Sequence, residues 1–144
     1  MSEELETPAS VKVLLVDDEV NITKSLRRLL SQVDEYDIYI GNSGAEGLEQ
    51  IREHPDIGVI ISDQRMPQMT GVEFLGEARQ LVPDAIRILL TGYADIEASI
   101  AAINQGAVFR YLSKPWQDDE LLATIAEAAE HFRLVSENKR LNAL

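Results

Sequence analysis

The sequence of 144 residues contains no cysteine and only two histidines. Without thiols the chain can form no disulfide, no thiolate nucleophile and no zinc site with sulfur ligands. His54 and His131 lie far apart in the sequence, so neither has a second histidine at metal-binding spacing. We expect both histidines to have packing or surface roles, and we expect carboxylate oxygens to be the ligands of any metal.

Basic residues are also scarce, since 13 Lys and Arg face 25 Asp and Glu, for a net charge of −12. So anionic a surface repels nucleic-acid backbones, and direct nucleic-acid binding is disfavoured. No apolar run approaches the roughly 20 residues that span a bilayer, which predicts no membrane association. Residues 1–10 are acidic and lack the layout of a secretory signal. We expect a flexible leader there and a cytoplasmic protein.

What the sequence does contain is a regular alternation of apolar strand patterns with amphipathic helix patterns. The predicted strands are Val11–Val16, Tyr36–Ile40, Ile57–Ile61, Ala85–Leu90 and Ala107–Leu112. Alternation of this kind implies a parallel sheet that helices cover on both faces. We predict a single α/β domain over residues 11–132, with a doubly wound (βα)5 arrangement of the flavodoxin type and strand order 2-1-3-4-5.

The last helix pattern begins near Gln117 and continues to about Leu144 without Gly or Pro, so it is longer than the sheet it covers. A stripe of apolar residues has the spacing of a coiled-coil seam: Leu121, Ile125, Ala128, Phe132 and Val135. Two interpretations remain open. The early positions pack on the sheet and the end frays, or residues 133–144 extend the helix as a signalling linker toward an output domain.

Polar residues follow four of the five predicted strands. Asp17 and Asp18 follow the first strand, Asp63 the third, Thr91 the fourth and Lys114 the fifth. Ligands of open parallel sheets bind outside the carboxyl ends of the strands, so these side chains should converge at one edge. Each of them alone is commonly a turn residue or a helix cap. Their coincidence at strand ends favours a functional site.

Three converging carboxylates repel one another unless a cation intervenes. Mg²⁺, or Mn²⁺, suits such a site, because it prefers oxygen ligands and completes its shell with water and phosphate oxygens. Asp63 is the candidate nucleophile, since a carboxylate can accept a phosphoryl group as an acyl phosphate. Lys114 and Thr91 would then meet the charge on the phosphoryl oxygens.

Four segments of the sequence resemble the receiver domains of bacterial two-component response regulators. They are Leu15-Val16-Asp17-Asp18-Glu19, Ser62-Asp63-Gln64-Arg65-Met66-Pro67 with Gly71, Leu90-Thr91-Gly92, and Tyr111-Leu112-Ser113-Lys114-Pro115-Trp116. The resemblance implies that a sensor histidine kinase phosphorylates Asp63. It further implies that Asp18, Asp63 and the backbone carbonyl of Arg65 ligate Mg²⁺, with Asp17 acting through water.

The resemblance also implies a conformational switch in which Thr91 moves toward the phosphoryl group and Tyr111 turns inward. The face made by the fourth helix, fifth strand and fifth helix would change, and a homodimer through that face or the last helix is left open. Lys114-Pro115 resembles a cis peptide of the family that aims the ammonium inward. Gly92 would leave the phosphoryl site open, while Arg65 and Tyr93 occupy positions that tune hydrolysis.

The Thr91-Gly92-Tyr93 and Tyr111–Trp116 segments are most similar to receivers attached to HD-GYP phosphodiesterases, which hydrolyse cyclic di-GMP. Receivers of hydrogenase-type transcriptional regulators, with AAA+ ATPase and DNA-binding outputs, are similar there too. Two rival functions are a haloacid-dehalogenase-like phosphatase and a flavin-binding module. The first places its nucleophile after strand one in an Asp-x-Asp pattern, and the second needs a hydroxyl- and amide-rich phosphate loop rather than an acidic one.

Overall fold

The computed structural model describes residues 10–92 and 95–142. The expectations for the leader, apart from Ser10, and for Tyr93 lie outside these residues. The strands are β1 Val11–Val16, β2 Tyr36–Gly41, β3 Val59–Asp63, β4 Ile86–Thr91 and β5 Arg110–Ser113. The helices are α1 Val20–Leu30, α2 Gly44–Glu53, α3 Gly71–Leu81, α4 Ile96–Asn104 and α5 Asp118–Asn142.

The strands form one parallel sheet in the order β2-β1-β3-β4-β5. Helices cover both of its faces, and each face has its own apolar core. One core joins α1 and α5 to the sheet through residues such as Leu26 and Ile125, and the other joins α2, α3 and α4 through residues such as Leu48, Phe74 and Ala102. This topology confirms the predicted doubly wound flavodoxin-like fold.

Three strands begin later than their apolar patterns predict: β4 begins one residue later, at Ile86, and β3 and β5 begin two and three residues later, at Val59 and Arg110. Ile57 is buried before β3 begins, because it packs in the core while its amide donates to the His54 carbonyl in a turn. Before β5, the Arg87 guanidinium takes over hydrogen bonds that a neighbouring strand would otherwise make, since it donates to the carbonyl oxygens of Gly106 and Ala107. Apolar burial therefore extends beyond the paired part of each strand.

The start of α3 is pressed against the end of β3. Thr70 and Glu73 form a capping box, in which each side chain accepts a hydrogen bond from the backbone of the other. Gly71 follows the cap, and a Cβ atom built on it would lie 2.2 Å from the Asp63 carbonyl oxygen. Only glycine permits this approach, so the residue helps to fix the backbone that carries Asp63.

Helix α5 contains 25 residues. The residues of its apolar stripe differ in how deeply they are buried. Leu121, Ile125 and Ala128 are fully buried against the sheet, whereas Phe132 is half-buried and lies over Gly58. The first three positions of the stripe therefore pack on the sheet of the same domain, and their spacing does not indicate a coiled coil.

The C-terminal part of α5 remains helical beyond the sheet and makes ion pairs with the amino-end loops. Arg133 pairs with Glu35 at 3.2 Å and Lys139 with Asp84 at 2.8 Å. Within residues 10–92 and 95–142, no helix is both long and apolar enough to cross a membrane.

The two histidines pack on aromatic rings, which agrees with the packing role expected for them. The His54 ring lies 4.3 Å from that of Tyr39, and the His131 ring 5.5 Å from that of Phe109, between centroids.

Candidate functional site

The carboxyl edge of the sheet brings together the charged residues at the ends of β1, β3 and β5. The Lys114 ammonium donates to Asp63 Oδ1 at 2.8 Å and to Asp17 Oδ2 at 3.4 Å. Asp17 and Asp63 are only 1% and 5% exposed. The convergence predicted from strand ends is thus found for these three residues, and one ammonium bridges two buried carboxylates.

Asp17 is the most deeply enclosed acid of the site. Burial raises the pKa of Asp17 to about 6, and the nearby Asp63 charge adds to the rise, although the Glu19 amide and Lys114 oppose it. The two carboxylate oxygens of Asp17 are already engaged, Oδ1 by the Glu19 amide at 2.9 Å and Oδ2 by Lys114. The Glu19 amide and Lys114 therefore do not fully offset the cost of burying the negative charge of Asp17.

Lys114 carries the positive charge of the site. Burial by itself lowers the pKa of Lys114, but the hydrogen bond to Asp63 and the charge of Asp17 outweigh this effect, so the pKa lies above its usual value. The ammonium is accordingly charged at neutral pH. The Lys114-Pro115 peptide is cis, as the sequence resemblance implied.

The carboxylates of Asp17, Asp18 and Asp63 form a cluster in which one oxygen from each lies within 4.8 Å of the others. Asp18 is exposed, unlike the other two, and so can be reached from solvent. Hard oxygen ligands at this spacing fit Mg²⁺ or Mn²⁺. The raised pKa of Asp17 points the same way, because a divalent cation would supply the charge compensation that Lys114 provides only in part.

An open cleft of about 420 Å³ leads to Asp63. Residues from four loops line it: Asp18, Glu19, Asp63, Gln64, Arg65, Gly92, Asp95 and Lys114. A Cβ atom at Gly92 would meet no atom within 4 Å. The glycine therefore contributes open space next to the acidic cluster.

Thr91 and Tyr111 lie near this edge but do not contact Asp63 through the hydrogen bonds described. The Thr91 side chain is buried, and its hydroxyl donates to the Gly92 carbonyl at 3.3 Å. Tyr111 is half-buried on β5 and packs against the core that joins α2, α3 and α4 to the sheet. Their roles in a switch stay predictions.

Arg65 extends across the mouth of the cleft. Its Nε donates to Asp95 Oδ2 at 2.8 Å, and the Arg65 side chain is 73% exposed. Arg65 also lines the cleft, two residues after Asp63, and a role for its carbonyl as a metal ligand stays a prediction.

Two further residues at this edge escaped the sequence reasoning. Asn42 directly follows β2, and its amide donates to the Asp17 carbonyl at 3.0 Å, which ties the two loops together. The strand-end rule that found Asp17 would have found Asn42 as well. Asp95 reads in the sequence only as a helix cap, so nothing local indicates its pairing with Arg65.

Comparison with known families places the site in context. The profile described as the response regulator receiver domain matches residues 13–126. The hydrogenase transcriptional regulatory protein HoxA of Bradyrhizobium diazoefficiens is 39% identical over 127 residues, which are 88% of this chain and 26% of HoxA. The transcriptional regulatory protein ZraR of Escherichia coli K12 is 34% identical over 125 residues, or 87% of this chain and 28% of ZraR.

Solved structures with a similar fold cover most of the chain. A structure described as adenylate cyclase from Rhodopirellula baltica has a TM-score of 0.88 and 34% identity, covering 93% of this chain and 98% of that one. The receiver domain of an HD domain-containing protein from Pseudomonas fluorescens Pf-5 has a TM-score of 0.79 and 37% identity, covering 86% and 98%. The chain spans about a quarter of the length of the curated relatives it matches.

Proposed function

Since this chain belongs to the family of response regulator receiver domains, which act in two-component phosphorelay signalling, we propose that Asp63 is its phosphoryl acceptor. The observation that carries the proposal is the position of the Asp63 carboxylate. It lies at the end of the central strand, 2.8 Å from the Lys114 ammonium, within the acidic cluster and open to the cleft.

The transfer requires no base, because the nucleophile is already a carboxylate. An Asp63 oxygen attacks phosphorus and forms the acyl phosphate, while the bond from phosphorus to the donor breaks and its electron pair leaves with the donor. The physiological donor would be the phosphohistidine of a sensor histidine kinase, and acetyl phosphate would release acetate. The protein would gain one phosphoryl group and perform no turnover.

The surrounding residues would stabilise the charge that this transfer brings into the cleft. Lys114 is fixed within hydrogen-bond distance of Asp63, so it can contact a phosphoryl oxygen without reorganisation. Thr91 would reach the phosphoryl group by giving up its bond to the Gly92 carbonyl, and Tyr111 would follow into the vacated space. Gly92 leaves room for these groups, and Pro115 completes the cis peptide behind Lys114.

Mg²⁺, or Mn²⁺ in its place, would be held by Asp18, Asp63 and the Arg65 carbonyl, with Asp17 acting through water. When bound, the ion supplies positive charge to the phosphoryl oxygens. Asp17 would orient the water and stay ionised next to the cation.

The domain would act on an output in the cytoplasm through the face made by α4, β5 and α5 or through residues 133–144 as a linker, and either could also bind a second copy. Two outputs are supported. The named relatives HoxA and ZraR are transcriptional regulators, which favours an AAA+ ATPase with DNA binding. The likeness to a receiver of an HD domain-containing protein favours a phosphodiesterase of the HD-GYP kind.

Phosphorylation with radiolabelled acetyl phosphate and Mg²⁺ tests the proposal. We expect one acid-stable, base-labile phosphoryl group per chain, and loss of labelling in Asp63→Asn. Asp56→Asn, which removes an exposed carboxylate paired with Lys12, is the matched control and should label normally. Labelling that survives in Asp63→Asn would refute the assignment. Steady hydrolysis of p-nitrophenyl phosphate would instead favour a phosphatase.

A further inference from the structure

An ion pair joins the two loops that flank the mouth of the Asp63 cleft. Arg65, from the loop between β3 and α3, donates through Nε to Asp95 Oδ2 at 2.8 Å and through Nη2 to Asp95 Oδ1 at 3.4 Å. Both residues line the cleft that Asp63 and Lys114 also line. Among the residues described as lining it, Arg65 is the one guanidinium, so it is the group best suited to bind a newly added anion in two places.

Asp95 occupies the N-cap position of α4 but does not cap the helix. Aspartate is among the best N-cap residues, yet the Asp95 side chain makes no cap hydrogen bond and its backbone angles are φ −113° and ψ 14°. Its backbone is held in place instead, since its amide donates to the Gly92 carbonyl and its carbonyl accepts from the buried Ser99 hydroxyl at 3.0 Å. The Asp95 carboxylate thus accepts hydrogen bonds from Arg65 and none from the amides in the first turn of α4.

The ion pair is weak enough to exchange. The Arg65 side chain is 73% exposed and that of Asp95 20%, so solvent screens the pair and its contribution to stability is small. A phosphoryl group on Asp63 would carry about two negative charges and three acceptor oxygens, compared with one charge on Asp95. The same charge that attracts Arg65 repels the Asp95 carboxylate. Phosphorylation therefore favours transfer of the guanidinium from Asp95 to the phosphoryl group.

We propose that Asp95 is a positioning residue that holds Arg65 away from Asp63 before phosphorylation and caps α4 after it. Release of Arg65 frees the carboxylate to accept hydrogen bonds from the first-turn amides of α4. The exchange thereby converts the charge added at Asp63 into order at the start of a helix on the opposite side of the cleft. This inference rests on the proposed phosphorylation of Asp63.

A double-mutant cycle on the rate of labelling by acetyl phosphate tests the first half. Asp95→Asn keeps the size and capping ability of the side chain but removes the charge that holds Arg65. We expect roughly fivefold faster labelling, because a coupling near 1 kcal/mol is typical of paired groups. In an Arg65→Gln background the same Asp95→Asn change should alter the rate by less than about twofold. An equal gain in both backgrounds would show that Asp95 acts by its own charge and would overturn the proposal.

Amide hydrogen exchange at residues 97 and 98 tests the second half. In the unmodified protein, protection should rise on phosphorylation, and in Asp95→Asn it should already be high before phosphorylation. Asp95→Glu can retain the ion pair but is a poor cap, so it should label at the original rate and gain no protection. Protection that rises equally in Asp95→Glu and in the original protein would refute the cap exchange.

The two proposals fail in different ways. If the original protein does not label, the phosphorylation proposal falls and takes the exchange with it. If the protein labels at Asp63 but the cycle is additive, only the role of Asp95 is lost.

Discussion

The two edges of the sheet use the same kinds of charged residues in opposite environments. At the carboxyl edge, Lys114 bridges Asp17 and Asp63, which are 1% and 5% exposed. At the amino edge, the pairs between Arg133 and Glu35 and between Lys139 and Asp84 are at least partly exposed to solvent, with side-chain exposures of 28% to 64%. The distances between charged atoms are similar, at 2.8 and 3.4 Å at the carboxyl edge and 2.8 and 3.2 Å at the amino edge.

Burial decides what these interactions do. An exposed ion pair is screened by water and stabilises the fold by about 1 kcal/mol at most. A buried carboxylate costs several kcal/mol to desolvate, and the cost is repaid only if cations and hydrogen bonds are close by. The carboxyl edge keeps Asp17 in such a setting, since burial raises its pKa to about 6, and a perturbed buried acid is typical of a site that binds a further cation or reacts.

The largest effect should come from disturbing the backbone beneath Asp63. Gly71→Ala would place a Cβ atom 2.2 Å from the Asp63 carbonyl oxygen, so either β3 or α3 must shift. We expect the free energy of unfolding to fall by about 3 kcal/mol, as measured by urea denaturation, with loss of labelling at Asp63.

Two other glycines serve as matched controls for that change. Gly76 lies on the same helix with open space around it, so Gly76→Ala should stabilise the protein by about 0.5 to 1 kcal/mol. At the amino edge, Gly58→Ala would meet the Phe132 ring, which is a half-buried side chain and can turn aside. A loss in Gly58→Ala as large as that in Gly71→Ala would contradict the contrast between the edges.

The next largest effect should follow from neutralising Asp17. Its folded pKa of about 6 lies above the ordinary value of 3.8, so the protonated form is favoured by folding. The stabilising effect of this protonation is fully present below pH 4 and is lost as pH rises to about 6. Without metal at pH 7.5, Asp17→Asn should be more stable than the original protein by about 1 to 3 kcal/mol.

Urea denaturation between pH 4 and 8 measures this difference. The stabilities of the original protein and Asp17→Asn should converge toward pH 4 and separate up to about pH 6. Asp18→Asn is the control, because Asp18 is exposed; it should change the stability little while weakening Mg²⁺ binding in a calorimetric titration. A constant difference between Asp17→Asn and the original protein over this pH range would contradict the assignment.

The smallest effect should come from the amino edge. Lys139→Gln removes the ion pair with Asp84. The Lys139 side chain is 64% exposed and that of Asp84 is 34% exposed. We expect a loss of less than about 0.5 kcal/mol that disappears in high salt, with labelling at Asp63 unchanged. A loss above 1 kcal/mol would mean that the end of α5 is a structural part of the domain.

Sequence reasoning succeeded where the signal is periodic or topological. Buried strands such as Val11–Val16 carry continuous apolar runs, and the parallel order puts their carboxyl ends at one edge. The rule that ligands bind at the carboxyl ends of parallel strands therefore located Asp17, Asp63 and Lys114 together. It did not locate the start of β5, because Arg87 satisfies carbonyl groups there by a side-chain contact that no local pattern encodes.

The sequence by itself determined the architecture and which residue types meet at the carboxyl edge, because apolar periodicity and residue types at strand ends are local properties of the chain. Only the tertiary structure decided how deeply these residues are buried and which groups they contact. The burial of Asp17, the close contact at Gly71 and the use of Asp95 by Arg65 rather than by α4 each depend on atoms distant in sequence. Desolvation and packing arise only when such atoms meet, so no local pattern can report them.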